Sequence, residues 1–166
     1  MTLQWIAIRS KPRSEKVAVR ELKKKGIEVF LPLIKKRRKW SDRSKWVDFP
    51  LFPSYLFAKI ELKNSIYVLQ THGVNTIIKF SSKVVVIDDA VVKSLKLALE
   101  GGFELYSIKN FTIGQKVEVV DGPMKGARGI VDGNKKNDGR LIIKVEALQQ
   151  AIAVHIDSHF LEPIIN

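Results

Sequence analysis

The largest group of side chains that could do chemistry in this chain is basic and lies in IKKRRKWSDRSKW, residues 34–46. This tract holds seven Lys or Arg residues, two tryptophans and one acid. Cationic side chains bind phosphates, and an aromatic ring beside them can stack on an unpaired base. We therefore predict a projecting hairpin or loop that contacts nucleic acid, and a solvated loop that binds nothing is the alternative. The residues of this tract assigned to nucleic acid are Lys36, Arg37, Arg38 and Lys39.

A second basic group surrounds the first predicted helix, where Lys and Arg recur at spacings of three or four and so share a helix face. The net charge of +12 lies entirely in residues 1–110, which hold 22 basic and 10 acidic side chains, whereas residues 111–166 hold seven of each. This segregation favours a nucleic-acid partner over a merely solvated helix face. The residues of this second group assigned to nucleic acid are Lys11, Arg13, Lys16, Arg20, Lys23 and Lys24.

No residue pattern in the chain predicts catalysis. The absence of cysteine excludes disulfides, thiol catalysis and cysteine–zinc sites. His155 and His159 are four residues apart, but the segment reads as a strand, and two histidines are too few for a metal site. Asp88 and Asp89 open a predicted helix, where acids serve as caps. We therefore expect no enzymatic activity, no metal and no cofactor.

The composition also predicts the compartment. The longest apolar run without charge, residues 49–58, contains two prolines and is too short to span a bilayer. Because the chain has ordinary apolar content and no cysteine, we expect a soluble, cytoplasmic protein that does not associate with membranes.

The basic groups lie within a predicted antiparallel sheet that is backed by helices. Ser14 is the expected N-cap of the first helix, and Gly26 is its expected end. The order β-α-β-β-α-β with a trailing helix describes an α+β fold. The predicted strands are 3–9, 27–34, 54–62, 75–80 and 83–87, and the predicted helices are 14–25, 64–72 and 88–100.

The pattern changes at residue 111 to short β runs separated by glycine turns about ten residues apart, which predicts a small β-barrel. Residues 101–110 lack clear periodicity and are interpreted as a linker. The predicted organisation is therefore an N-terminal domain at 1–100, a linker at 101–110 and a C-terminal domain at 111–166.

Two motifs, LFPSYLFAKI at residues 51–60 and VEVVDGPMKGARGIV at residues 117–131, occur in the order and spacing of a known family. The second resembles a KOW motif, and the pair resembles the NusG family of transcription elongation factors over nearly the whole chain. The strongly basic N-terminal domain is similar to specialised paralogs of the RfaH or UpxY kind, and UpxY-type proteins act as antiterminators for capsular polysaccharide operons. The resemblance implies a NusG N-terminal α/β sandwich followed by a small SH3-like KOW barrel. It also implies a protein that suppresses pausing and termination.

The resemblance further implies that the N-terminal domain binds the clamp helices of the largest RNA polymerase subunit through a hydrophobic depression. The family's aromatic motif falls here on Phe52, Pro53, Tyr55 and Phe57. Strand alternation places Tyr55 and Phe57 on the face opposite Leu56. The residues alone leave open whether these aromatics are core or exposed interface anchors, and the resemblance favours docking.

The KOW loop consists of turn-forming and flanking residues between two predicted barrel strands. In NusG, aromatic residues in and after this loop contact the termination factor Rho and a ribosomal protein. Here Met124 and Ala127 stand at those positions, which argues against Rho binding and leaves a ribosomal protein as a suggested partner. Abundant β-branched residues favour the barrel over the helical hairpin that RfaH can adopt. The loop residues are Gly122, Pro123, Met124, Lys125 and Gly126.

RfaH-type proteins also carry a polar segment that contacts the polymerase gate loop. The matching stretch here is NSIYVLQTHGVN, residues 64–75, and its His72 is assigned to the nucleic-acid-binding group. We expect a monomer of bacterial type. The second functional hypothesis is a KOW-type RNA-binding protein of the ribosome or its assembly, which the neutral charge of residues 111–166 disfavours.

Overall fold

The computed structural model describes residues 1–102, 105–108, 114–131, 140–156 and 160–164. The chain divides by its internal contacts into two units, Met1–Val86 and Ile87–Asn166. Helices and antiparallel strands occur in both units, which confirms the predicted α+β fold class.

The elements of the first unit follow the predicted order, but each of the predicted strands 27–34, 75–80 and 83–87 is divided into two, and the basic tract itself forms strands. A short 3-10 turn at Leu62–Asn64 precedes the second helix. In chain order, the elements are β1 Gln4–Ser10, α1 Glu15–Lys24, β2 Glu28–Phe30, β3 Leu33–Lys39, β4 Ser44–Pro50, β5 Tyr55–Ile60, α2 Ser65–Leu69, β6 Val74–Ile77, β7 Lys79–Phe80, β8 Lys83–Val84 and, at the border of the unit, β9 Val86–Ile87.

The main sheet of the first unit has the strand order β2-β5-β1-β6, and β9 also pairs with β1. β1 and β5 form its centre and pair antiparallel along six residues of each strand. Ile6 lies opposite Ala58, and Ile8 lies opposite Leu56, so these aliphatic side chains share one face. That face belongs to the core cluster that also contains Leu22 of α1 and buried residues of α2 and β6. Burial of each large aliphatic side chain stabilises the fold by about 1.5–3 kcal/mol.

α1 begins and ends at the predicted positions. Ser14 occupies the N-cap position, but its hydroxyl donates to the carbonyl of Pro12 at 3.2 Å and makes no cap hydrogen bond. Gly26 follows the helix with φ of 74°, and its N–H donates to the carbonyl of Lys23 at 2.9 Å. Glycine is the residue that adopts this left-handed conformation at little cost.

β3 and β4 form a two-stranded sheet of their own, a hairpin that pairs along its whole length. The N–H of Trp40 donates to the carbonyl of Arg43 at 2.7 Å, so residues 41–42 alone form the turn. Residues 35–46 are all exposed. The basic tract is therefore a hairpin, one of the two shapes predicted for it.

The second unit contains one helix and a six-stranded sheet among its described residues. The strand order is β10-β14-β13-β12-β11-β15, and every described pairing is antiparallel. This confirms the predicted C-terminal β domain. A 3-10 turn lies at Glu146–Leu148. The elements are α3 Asp89–Glu100, β10 Leu105–Ile108, β11 Lys116–Val119, β12 Arg128–Val131, β13 Arg140–Val145, β14 Gln150–His155 and β15 Leu161–Pro163.

α3 packs against β12 and β13 within the second unit. Asp88 caps the helix as predicted, since its carboxylate accepts the N–H of Ala90 at 2.8 Å. The buried hydroxyl of Ser94 donates to the carbonyl of Ala90 at 2.7 Å and accepts the N–H of Arg128 at 2.8 Å. Contacts thus group α3 with the strands that follow it. The predicted domain boundary at residue 100 stays a prediction.

The expected linker at 101–110 contains a strand. Leu105–Ile108 forms β10 and pairs with β14, from Leu105 opposite Val154 to Ile108 opposite Ala151. Pairing with the backbone of β14 orders these residues, so their sequence need not show the alternation of apolar and polar side chains that usually marks a strand. Residues 103–104 and 109–110 of the expected linker lie outside the described residues.

The turn between β7 and β8 yields a stability prediction. Ser81 and Ser82 form this turn, as predicted, and both have positive φ, 46° and 67°. Left-handed backbone costs a non-glycine residue about 1–2 kcal/mol. Ser82→Gly is therefore expected to raise the free energy of unfolding by about 1 kcal/mol, measured by denaturant titration.

Ser41→Gly is the matched control, because Ser41 lies in the other two-residue hairpin turn and does not have positive φ. This substitution should not stabilise the protein. Equal stabilisation by both changes would contradict the assignment of strain to the β7–β8 turn.

Candidate nucleic-acid and protein interface

The FPSY segment forms a β-turn that leads directly into β5. The N–H of Tyr55 donates to the carbonyl of Phe52 at 3.0 Å. Pro53 supplies the fixed φ that the second turn position needs, and Ser54 has φ of 68° at the third. This combination is typical of a type II turn. Pro53 therefore directs the backbone into the sheet while its ring stays exposed.

The first residue of α1 holds this turn in place. The Glu15 carboxylate accepts the N–H of Ser54 at 2.9 Å, and the carbonyl of Ser54 accepts the N–H of Ser10 at 2.8 Å. These bonds join the end of β1, the start of α1 and the entry to β5. Sequence reasoning missed Glu15, because its partner lies 39 residues away.

Phe57 lies at the centre of an aromatic cluster on the face of the main sheet opposite the aliphatic core. Its ring stacks on Phe30 with centroids 5.9 Å apart and meets the edge of Phe52 at 6.4 Å. Trp5 lies on the same face, with the ammonium of Lys59 5.8 Å from its ring centroid. The predicted alternation of β5 between two faces is confirmed.

The exposure of these aromatics differs from the expectation that they face outward. Phe52 and Phe57 are fully buried, Tyr55 is half-buried, and Pro53 is exposed. The packing of aromatic rings against one another removes apolar surface from water and adds favourable ring geometry, which favours burial. The assignment of all four residues to polymerase docking stays a prediction.

Basic residues from distant parts of the sequence meet beside the FPSY turn. The N–H of Lys11 donates to the carbonyl of Gly73 at 2.9 Å, so the exposed His72 lies next to the exposed loop that holds Lys11 and Arg13. Gly73 has φ of 88°, and a Cβ there would lie 2.9 Å from the backbone nitrogen of Ala18. The absence of a side chain therefore permits the close approach that brings these three predicted nucleic-acid residues to one edge.

The other residues of this group lie exposed on α1, and two of them are partly neutralised. Glu21 pairs with Arg20 at 3.0 Å and with Lys24 at 3.1 Å. The hydrogen bond from Arg20, followed by that from Lys24, lowers the pKa of Glu21 below its ordinary value of 4.5. These pairs therefore favour the folded state above that pH, and their contribution is lost as the pH falls through the lowered pKa. Lys16 and Lys23 are exposed on the same helix.

The hairpin tract holds two of its guanidinium groups close to an indole ring. Arg43 lies 5.3 Å and Arg38 lies 6.0 Å from the ring centroid of Trp40. Arg37 donates from Nε and Nη2 to the hydroxyl of Ser44 at 3.2 and 2.9 Å. Among the described hydrogen bonds and ion pairs, none joins this tract to α1.

The KOW loop joins β11 to β12. Gly126 has φ of 90°, which fits the predicted use of glycine in this turn. Pro123 and Lys125 are exposed, whereas Met124 and Ala127 are fully buried. The two positions at which the family resemblance expects aromatics thus add nothing to the exposed surface of the loop.

No group of three or more His, Asp or Glu side chains in the described ranges stands close enough to hold a metal ion. His155 is exposed at the end of β14, and His159 lies outside the described residues. None of the described helices is both long and apolar enough to cross a bilayer.

Comparison with known proteins gives a family match. The family model described as "Transcription termination factor nusG" matches residues 3–96, a stretch that contains the main sheet, the FPSY turn, the hairpin and both basic groups. None of the curated proteins matches the chain.

Two solved structures match the chain at low identity. The structure titled "Domain interaction in Thermotoga maritima NusG" is 18% identical, with 98% of each chain covered and a TM-score of 0.49. The structure titled "Crystal Structure of MjSpt4:Spt5 complex conformation B" is 16% identical, with 98% of this chain and 97% of that chain covered and a TM-score of 0.28. Both likenesses are too distant to bear on function.

The contact between Glu15 and the FPSY turn predicts a cost for losing the carboxylate. Glu15→Ala leaves the partly buried N–H of Ser54 without its acceptor and is expected to destabilise the protein by about 1–3 kcal/mol, measured by denaturant titration. Glu15→Gln keeps an acceptor oxygen and should retain most of the stability. Glu21→Ala, an acid-to-alanine change at an exposed ion pair of the same helix, should have little effect. If the two alanine variants behave alike, Glu15 does not hold the turn.

Proposed function

The chain belongs to the NusG family, and we propose that it is a transcription elongation factor that binds RNA polymerase and nucleic acid through its first unit and catalyses no reaction. The observation that carries this proposal is the family match at residues 3–96. The matched residues include both an aromatic motif suited to a protein partner and the basic surfaces suited to phosphates. The first unit thus carries two kinds of surface, one suited to a protein partner and one suited to nucleic acid.

We propose the clamp helices of the largest polymerase subunit as the protein partner, with Phe52, Pro53, Tyr55 and Phe57 as the docking residues. Pro53 and Tyr55 are accessible to a partner in this structure. Phe52 and Phe57 are fully buried, so their use in docking requires that they become uncovered. Burial of aromatic rings against an apolar partner surface is a strong source of binding free energy, which supports an aromatic docking site.

The two basic surfaces are the proposed contacts to nucleic acid. At the edge beside the FPSY turn, Lys11, Arg13 and His72 meet, and α1 extends this surface with Lys16 and Lys23. The hairpin carries the second surface. Each phosphate contact releases counterions, so binding is expected to weaken steeply as salt rises.

We further propose that the protein is a specialised antiterminator of the RfaH or UpxY kind, acting in the cytoplasm as a monomer at capsular polysaccharide-type operons. The support is the KOW loop, in which Met124 and Ala127 are buried. A loop without exposed aromatics lacks the anchors that the family resemblance ties to Rho, which fits a factor that opposes termination. A ribosomal protein is a further proposed partner of this unit. A ribosomal RNA role is disfavoured, because residues 111–166 carry no net charge.

Substitution of Tyr55 tests polymerase docking. Tyr55→Ala is expected to weaken binding to purified RNA polymerase by about 10- to 30-fold, since truncation of a central interface aromatic typically costs this much. Pausing and readthrough on a promoter-proximal template should approach the values found without the protein. Phe80→Ala is the matched control, because Phe80 is 79% exposed on β7, outside the docking set and outside residues 64–75. The docking assignment fails if Tyr55→Ala binds the polymerase as tightly as Phe80→Ala and the unmodified protein do.

A charge substitution on α1 tests the first basic surface. Glu21→Gln removes the partner of Arg20 and Lys24 and is expected to strengthen binding to the elongation complex severalfold in low salt. Glu100→Gln changes the net charge equally but lies at the end of α3, and it should leave binding unchanged. An equal gain from both changes would show that only net charge matters and would contradict a contact through α1.

A further inference from the structure

The hairpin has two faces, and the register of its strands assigns every residue to one of them. Arg37 lies opposite Trp46, and Lys39 lies opposite Ser44. Residues directly opposite each other share a face, and residues two apart along a strand share it too. The face that we name the Trp46 face contains Lys35, Arg37, Lys39, Ser44, Trp46 and Asp48. The opposite face, named the Trp40 face, contains Lys36, Arg38, Trp40, Arg43, Lys45 and Val47.

The ring of Trp40 is already engaged. Arg43 and Arg38 stand over it at 5.3 and 6.0 Å, within the range of a cation–π contact. This packing leaves Trp40 42% exposed at the end of the hairpin. Trp40 therefore braces the turn and holds the two guanidinium groups of its own face.

Trp46 differs from Trp40 in its exposure and in the contacts of its ring. Its side chain is 65% exposed, and among the described residues no guanidinium or ammonium group is placed over its ring. Tryptophan is enriched at binding interfaces, where its large ring supplies much of the contact area. Trp46 is thus the more exposed of the two tryptophans of the hairpin and the one with no cation over its ring among the described residues.

One cation beside Trp46, Arg37, is held in place by hydrogen bonds. Both Nε and Nη2 of Arg37 donate to the hydroxyl of Ser44, at 3.2 and 2.9 Å, which fixes the guanidinium across the strands. Arg37, Lys39 and Ser44 line a shallow hollow on the surface. Arg37 lies directly opposite Trp46, so a group bound there would lie about one nucleotide from the indole ring.

We propose that the Trp46 face is a binding site for single-stranded nucleic acid, in which an unpaired base stacks on Trp46 while the adjoining phosphates lie against Arg37 and Lys39. A ring beside cationic side chains matches a base flanked by phosphates in both shape and charge. A duplex does not fit in the same way, because its base faces are stacked on one another and hidden from the indole. This inference deepens the nucleic-acid part of the proposed function and rests on that part alone.

Oligonucleotide binding to the full chain without polymerase tests the site. The probes are 12-nucleotide oligo(dT), 12-nucleotide oligo(U) and a 12-base-pair duplex, each with a fluorescent label for anisotropy. Trp46→Ala should lower affinity for the single strands by about 5- to 150-fold, the range that removal of one base–aromatic stack produces, and should alter duplex binding much less. Trp46→Phe should restore most of the affinity. Trp40→Ala, the matched loss of an indole from the other face, should have a smaller effect.

The salt dependence of oligonucleotide binding distinguishes the contribution of base stacking from that of charge. Trp46→Ala keeps every cation, so the slope of log affinity against log salt should not change. Arg37→Ala combined with Lys39→Ala should reduce that slope by about 1.4, since each phosphate contact to a single strand contributes about 0.7.

A spectroscopic measurement guards against a folding defect. In a Trp40→Phe protein the remaining tryptophans are the buried Trp5 and the exposed Trp46, so quenching of fluorescence by an unlabelled oligonucleotide reports on Trp46. Quenching by either oligo(dT) or oligo(U) supports the site. The oligonucleotide that quenches more strongly identifies DNA or RNA as the preferred ligand. Absence of quenching, equal losses from both tryptophan-to-alanine changes, or duplex binding as tight as single-strand binding would each overturn the proposal.

Different results would refute the proposed elongation function and the proposed Trp46 site. Intact oligonucleotide binding with no effect on transcription would refute the elongation function and leave the Trp46 site standing. A Trp46→Ala protein that keeps full single-strand affinity would refute the site, whatever its activity with polymerase.

Discussion

The antiparallel pairing of β1 with β5 is the constraint on which the first unit depends. This register places Ile6, Ile8 and Leu56 on the face that packs with α1, and it places Phe57 on the other face with Trp5. A slip of one residue would exchange the two sets, because side chains alternate along a strand. The aliphatic core and the candidate docking surface are therefore fixed by one set of backbone hydrogen bonds. The turn at Pro53 and Ser54, held by Glu15, sets where that pairing begins.

The hairpin keeps a dense group of like charges exposed to water. Seven basic side chains within residues 34–46 repel one another and cannot be buried without a large desolvation cost. Placing them on a two-stranded sheet of its own keeps all of them in water while backbone pairing still orders the strands. A long edge of charged residues also discourages pairing with other chains. The same arrangement leaves Trp46 exposed on the strand directly opposite Arg37.

Local pattern was enough to predict most of the elements, and long-range partners account for the rest. Alternation and capping placed the helix after Ser14, the helix after Asp88 and the turn at Ser81 and Ser82. The bond between Glu15 and Ser54 joins residues 39 apart, and no local pattern signals it. The sequence predicts a linker where β10 lies, because the order of β10 comes from pairing with β14 and not from its own side-chain pattern. The burial of Phe57 likewise depends on Phe30, a residue that only the fold brings near.

The two units differ in the chemistry that they offer to partners. In the KOW loop the bulkier apolar side chain, Met124, is buried, so the loop presents Pro123 and Lys125 and no aromatic anchor. Residues 111–166 hold seven basic and seven acidic side chains, so their net charge is zero. The first unit has an aromatic cluster on its main sheet and exposed cations on α1 and the hairpin. Aromatic anchors and paired charges are the groups in which binding free energy concentrates, and the first unit contains both kinds of group.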